Sequence, residues 1–119
     1  YDAAMIKDNH IAAVGGLKKA IDACRAAVGH TVKIEVEIDG LDQLDAALSG
    51  GADIIMLDNM TTEDMKKAVA QVKGRAILEA SGNVTVETVR AIAESGVGVI
   101  SSGWITHSAP SLDVGLDFD

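Results

Sequence analysis

Lys7, Glu37, Asp58 and Glu79 each close a short apolar run: Ala4-Met5-Ile6-Lys7, Ile34-Glu35-Val36-Glu37, Ile54-Ile55-Met56-Leu57-Asp58 and Ala76-Ile77-Leu78-Glu79. The same interval of 21 residues separates Glu37 from Asp58 and Asp58 from Glu79. Two carboxylates closing neighbouring strands suit Mg²⁺, a hard cation that keeps waters and takes one or two carboxylates plus substrate phosphates. They equally suit a sugar ring that develops positive charge in an oxocarbenium-like transition state, or simple pairing with an internal Lys or Arg. Lys7 beside such acids reads either as an ion pair or as the holder of a substrate carboxylate or phosphate. Glu35 and Glu79 share the inward parity of Glu37, but are expected deeper or in another layer, where structural pairing is the plainer role.

Two further groups follow strand-like runs: Ser81-Gly82-Asn83 and Ser102-Gly103-Trp104. Small residues let backbone N–H groups approach a phosphate, and a helix start adds positive potential. Each loop alone is weak evidence, because a turn between strand and helix uses Gly anyway; two in succession weigh more. His10 and His107 fall in loops at the same end, within reach of a substrate there or simply as loop residues. His30 precedes a strand at the opposite end and takes no role. Trp104 reads as wall or lid packing, and Cys24 as core.

Stepped apolar patterns between the runs supply the elements that would hold these residues in place. Leu17, Ala20, Ile21, Cys24 and Val28 form a helical stripe opened by Gly15-Gly16 and stopped by Gly29, with Lys18, Lys19, Asp22 and Arg25 on its solvent face. Leu41, Leu44, Ala47 and Leu48 form a second stripe, ended by Ser49-Gly50-Gly51. Thr61 or Thr62 caps a third, with Met65, Ala68, Val69 and Val72 inward and Gly74 at its close. Thr85 caps a fourth, with Val86, Val89, Ile92 and Ala93 inward and Gly96 as stop. Strands are expected over Ala4–Lys7, Val32–Asp39, Ala52–Leu57, Ala76–Ala80 and Val97–Ile100. Over Val32–Asp39 apolar and polar residues alternate strictly, so an apolar side meets helices and a polar side points inward. The tail, where Leu112, Val114, Leu116 and Phe118 alternate with Asp113, Gly115, Asp117 and Asp119, reads as a half-buried strand or extended arm. The fold class is therefore α/β: a partial, TIM-like (β/α) barrel of about five parallel strands, whose ligands bind at the carboxyl ends of the strands.

The bounds agree with one small domain. The chain has 119 residues, 48% of them apolar but only 3% aromatic, so the core is aliphatic and alanine-rich. A net charge of −8 argues against non-specific binding to nucleic acid or anionic membranes. The single Cys24 forms no internal disulfide, which fits a cytoplasmic setting. No run approaches the ~18–20 apolar residues of a membrane span. The first residues already lie in a strand-like run, so the chain is expected to be a piece of something longer.

In order, Met5-Ile6-Lys7-Asp8-Asn9-His10, Ile34-Glu35-Val36-Glu37, Met56-Leu57-Asp58-Asn59, Leu78-Glu79-Ala80-Ser81-Gly82-Asn83 and Ser102-Gly103-Trp104-Ile105-Thr106-His107-Ser108 resemble the C-terminal catalytic part of the quinolinate phosphoribosyltransferases. Leu112-Asp113-Val114-Gly115-Leu116 also resembles that family's C-terminal end. The resemblance implies that residues 1–119 are the incomplete C-terminal barrel domain of a two-domain, homo-oligomeric enzyme, a dimer or larger. It implies Mg²⁺-dependent condensation of quinolinate with phosphoribosyl pyrophosphate, giving nicotinate mononucleotide, pyrophosphate and CO₂ on the de novo route to NAD. By the same resemblance Lys7 falls at the quinolinate site, and Glu37 and Asp58 near the ribose and metal. Ser81, Gly82 and Asn83, with Ser102, Gly103 and Trp104, match the phosphate-contacting loops, and His107 lies close to them.

Two features of the family pattern are missing: an upstream Thr-Arg-Lys run and a later His-Arg. A further arginine of the family site comes from a partner subunit. Lys7 alone does not balance quinolinate and pyrophosphate, so the isolated chain is expected to lack useful activity and to expose open strand edges. Two alternatives remain at this level: a related phosphoribosyltransferase with another acceptor, and a non-catalytic phosphate-binding barrel fragment. The second is disfavoured by the desolvation cost of three inward charges.

Overall fold

A computed structural model describes residues 3–7, 16–82 and 84–101, with the backbone of 112–113. Among these residues, five strands alternate with four helices: β1 (Ala3–Ile6), α1 (Leu17–Val28), β2 (Lys33–Ile38), α2 (Leu44–Gly50), β3 (Ile54–Asp58), α3 (Thr62–Val72), β4 (Ile77–Ser81), α4 (Val89–Glu94) and β5 (Val99–Ile100). A sixth strand, β6 (Leu112–Asp113), pairs with β1. The sheet order is β5-β4-β3-β2-β1-β6 and every pairing is parallel. This is the parallel α/β architecture expected from the sequence. β6 realises the first two residues of the alternating tail; the rest of the tail lies outside the described residues.

Strand alternation divides the sheet into two faces. Ala4, Ile6, Ile34, Val36, Ile38, Ile55, Leu57, Leu78 and Ala80 share one buried cluster with the helix residues Leu17, Ala20, Ile21, Cys24, Leu44, Ala47, Met65, Ala68, Val72 and Ile92. That face is the core, and it is the apolar side of the β2 alternation. The other face carries Met5, Glu35, Glu37, Ile54, Met56, Asp58, Ile77, Glu79 and Ser81, none of which belongs to that cluster, and among the described residues the helix stripes pack on the first face.

Local chemistry explains the boundaries. Gly16 and Gly29 flank α1, and Thr61 Oγ1 accepts from Asp64 N–H at 3.1 Å to cap α3, whose first turn carries Glu63 and Asp64. The second stripe starts as a 3₁₀ turn, Leu41–Gln43, before α2. Gly50 lets α2 approach α1: a Cβ there would sit 2.5 Å from Ile21 Cδ1 and 3.5 Å from Lys18 Cα.

Two expectations need correction. The fourth helix does not bury Val86, Val89 and Ala93. Thr85 and Thr88 hydrogen-bond one another reciprocally through backbone N–H and Oγ1, and the Thr85 carbonyl accepts from Val89 N–H at 2.9 Å, so Thr85 does cap this segment as expected. Regular helix then starts only at Val89, leaving Val86 89% exposed, Val89 39% exposed and Ala93 exposed, and Ile92 is its one buried residue. Arg25 is not purely on the solvent face either. Its Nη1 donates to the Val32 carbonyl at 2.8 Å and its Nη2 to Asp53 Oδ2 at 2.9 Å, while Ile34 N–H donates to the same Oδ2 at 2.8 Å. This clamp ties α1 to the amino ends of β2 and β3, opposite the candidate site.

Candidate functional site

The strand register sorts the candidate residues into rows across the open face. Glu35 pairs with Met5 and Ile54 in the deepest row. Glu37 pairs with Met56, and Met56 with Glu79, in the middle row. Asp58 pairs with Ser81 in the row nearest the carboxyl ends. Lys7 is exposed and directly follows β1; one step beyond the Ile6–Val36 pair, it stands beside Glu37.

Glu37 and Asp58 are therefore close but not directly opposed. They sit on adjacent strands, staggered by two residues. With strands ~4.8 Å apart and a rise of ~3.3 Å per residue, their backbones lie ~8 Å apart. Both are partly buried. Glu79 shares the row of Glu37, separated from it by Met56, so it is not in a deeper layer; Glu35 is.

The interior of this face is acidic. Glu35 and Glu79 are 3% and 5% exposed. Ser101 Oγ donates to Glu79 Oε2 at 2.7 Å. Burial, a hydrogen bond shared with Glu79 and the charges of Glu79 and Glu37 together push the Glu35 carboxyl up to about 8. A neutral Glu35 can donate to Glu79, which lowers the charge held inside the face. Glu35 Oε1 has no hydrogen-bond partner among the described residues. Ser101, the first residue after β5, escaped the sequence reading as a candidate. Its signal was its place immediately after the last apolar strand run.

At the rim, Gly82 follows Ser81 with a left-handed φ of 81°. Ser81 and Gly82 are both partly buried there, one strand over from Asp58. A hydroxyl and a glycine turn thus stand at the same rim as two carboxylates and a lysine. His30 is exposed, and Cys24 is fully buried with its thiol pushed up by burial, against a smaller opposing effect of Arg25. Asn83, Ser102, Gly103, Trp104, His107 and His10 lie outside the described residues.

Among the described residues, no group of three or more His, Cys, Asp or Glu side chains could hold a metal. The donor set of Glu37 and Asp58 does fit Mg²⁺ held through waters and substrate phosphates, the usual manner for that ion. No helix among the described residues is long and apolar enough to cross a membrane.

Comparison with known proteins adds to this geometry. The family model described as quinolinate phosphoribosyl transferase, C-terminal domain, matches residues 1–117. The probable nicotinate-nucleotide pyrophosphorylase (carboxylating) of Bacillus subtilis strain 168 is 44% identical over 117 residues, which are 98% of this chain and 40% of that protein. The crystal structure of NadC from Streptococcus pyogenes superposes with a TM-score of 0.82 at 45% identity, covering 94% of this chain and 39% of that one. Thiamine phosphate pyrophosphorylase from Pyrococcus furiosus shares the fold alone, with a TM-score of 0.69 at 17% identity, over 85% of this chain and 49% of that one. The chain spans about 40% of the length of the first two relatives.

Proposed function

Because the chain belongs to the quinolinate phosphoribosyl transferase family, matching its C-terminal domain, we propose that it forms the barrel half of an active site. That site transfers a phosphoribosyl group from phosphoribosyl pyrophosphate to quinolinate and releases CO₂. The observation that carries the reading is the rim of the open face. Glu37, Asp58 and Ser81 share one face of three adjacent parallel strands, with Lys7 directly after a fourth and Gly82 directly after Ser81. Carboxyl ends of parallel strands are where such folds bind substrate.

The chemistry follows from charge. Quinolinate is a dianion, and Lys7 supplies one cation to one of its carboxylates. Attack of the ring nitrogen on the ribose C1 forms the glycosidic bond and breaks the bond to pyrophosphate. Positive charge develops on the ribose as that bond breaks, and Glu37 and Asp58 stabilise it from fixed positions. Ser81 Oγ–H and the Gly82 N–H are donors suited to the phosphate oxygens. Bound Mg²⁺ would neutralise charge on the departing pyrophosphate, with Glu37 and Asp58 as its protein-side anchors through water. After transfer the ring nitrogen is cationic. The bond to the 2-carboxylate then breaks with its electron pair passing toward that nitrogen, and a proton replaces CO₂ on the ring. For this step the protein needs to orient and desolvate the carboxylate, which calls for no nucleophile. Domain 1–119 acts with further basic groups from outside this chain, in a homo-oligomer.

The acid pair is tested by Glu37→Gln combined with Asp58→Asn in the full native protein. Loss of charge stabilisation at the reacting carbon is expected to lower kcat by about 100-fold or more, with the fold intact by circular dichroism. An unchanged kcat would remove both residues from the mechanism.

A further inference from the structure

Asn59 follows Asp58 directly and has no part in the mechanism above. Asn59 and Lys73 are the two non-glycine residues with positive φ among the described residues, at 58° and 52°. Lys73 is accounted for as the left-handed cap that ends α3. Asn59 ends no helix; it stands at the exit of β3, at the rim of the open face. A non-glycine residue keeps this conformation when its surroundings hold it there, and Asn tolerates it better than other side chains.

The surroundings are the neighbouring loop. Asn59 N–H donates to the Ser81 carbonyl at 2.9 Å, carrying the β3–β4 ladder one step past the Asp58–Ser81 pair. Its side chain lies over Gly82. A Cβ on Gly82 would stand 3.0 Å from Asn59 Oδ1, 3.2 Å from its N and 3.4 Å from its Cα. Gly82 has a φ of 81°, where any side chain is strained as well. The exits of β3 and β4 are thus fitted to each other: the carboxamide and backbone of one residue fill the space that a side chain on the other would need.

This contact has a consequence for an anionic ligand. Asp58 repels a phosphate, whereas the Ser81–Gly82 backbone attracts one, so their relative height decides whether both can serve one substrate. We propose that Asn59 is a positioning residue: it fixes the Ser81–Gly82 backbone relative to the Asp58 carboxylate, so that a pyrophosphate-bearing substrate is held by the loop with its sugar at the acid. The inference rests on the function proposed above and names a residue that sets its donor-phosphate subsite.

The test is made in the full native protein with Asn59→Gly and Asn59→Ala. Glycine keeps the left-handed turn without strain and deletes only the carboxamide, whereas alanine deletes it and adds strain. Affinity for inorganic pyrophosphate with Mg²⁺ is read by calorimetry, KM for each substrate by kinetics, and Tm by thermal unfolding. Both variants are expected to weaken pyrophosphate and to raise KM for phosphoribosyl pyrophosphate about fivefold or more, with KM for quinolinate within about twofold. Only Asn59→Ala should lose Tm. Pyrophosphate binding unchanged in Asn59→Gly overturns the proposal. So does a uniform loss in which both substrates and Tm fall together in Asn59→Gly, which marks a merely structural residue. If the native protein releases no CO₂ yet binds pyrophosphate in an Asn59-dependent way, the acceptor chemistry fails and the positioning role stands. If it binds no pyrophosphate, both fall.

Discussion

Glu35→Gln should make the chain more stable at neutral pH, although it replaces a buried side chain. Glu35 is 3% exposed, and its carboxyl is pushed from an ordinary 4.5 to about 8, first by burial, then by the hydrogen bond with Glu79 and the charges of Glu79 and Glu37. The folded state therefore holds a proton that the unfolded chain releases. Stability from this group is fully present below about pH 4.5 and is lost as pH rises toward about 8. Each pH unit inside that window costs at most about 1.36 kcal/mol, so a rise from about pH 5.5 to about pH 7.5 removes about 2.5 kcal/mol. Glutamine keeps the shape, stays neutral and can donate through its Nε2 amide hydrogens to Glu79 as the protonated acid does. Urea unfolding followed by circular dichroism across this range is the assay. The wild-type midpoint should fall with pH, while that of Glu35→Gln falls much less, leaving the variant about 1–2.5 kcal/mol more stable near neutrality. Parallel curves for the two proteins would refute the placement of Glu35 in an acidic, water-poor interior.

Asp53→Ala should cost about 2–3 kcal/mol, because Arg25 and the Ile34 N–H lose their shared acceptor; urea unfolding reads it. Burial alone would push the Asp53 carboxyl up, but the Ile34 N–H and the Arg25 guanidinium hold it below its usual range. Its stabilisation is therefore present above the ordinary carboxylate range and lost as pH falls through the lowered value, so wild type and Asp53→Ala should converge in acid unfolding. Thr61→Ala removes the side-chain cap of α3 and should cost about 1 kcal/mol, with Thr61→Ser retaining most of the stability in the same measurement.

Sequence pattern carried the architecture because helix and strand periods are set by which residues must face the core. The strict alternation of Lys33 to Ile38 told both faces of β2 apart, and the stripe Leu17, Ala20, Ile21, Cys24 located α1 to its last turn. Pattern failed at α4: Val86, Val89 and Ala93 step at helical spacing, yet only Ile92 of this helix is buried and Val86 stays exposed, because spacing within one segment does not say what lies opposite it. At the site, spacing put Glu37, Asp58 and Ser81 on the same rim, since parity along a strand is a local property. Register between strands is not local. Only the pairing of Glu37 with Met56 and of Met56 with Glu79 reveals that Glu37 and Asp58 are staggered and that Glu79 shares the row of Glu37. The bond from Ser101 to Glu79 and the fit of Asn59 against Gly82 depend on the same long-range register, which no single segment encodes.

The most direct test is quinolinate-dependent CO₂ release by the full native protein that carries this chain, with phosphoribosyl pyrophosphate and Mg²⁺. Release that stops when any one of the three is omitted is the expected result. Binding of phosphoribosyl pyrophosphate without any CO₂ release from quinolinate would contradict the proposed reaction and point to a different acceptor.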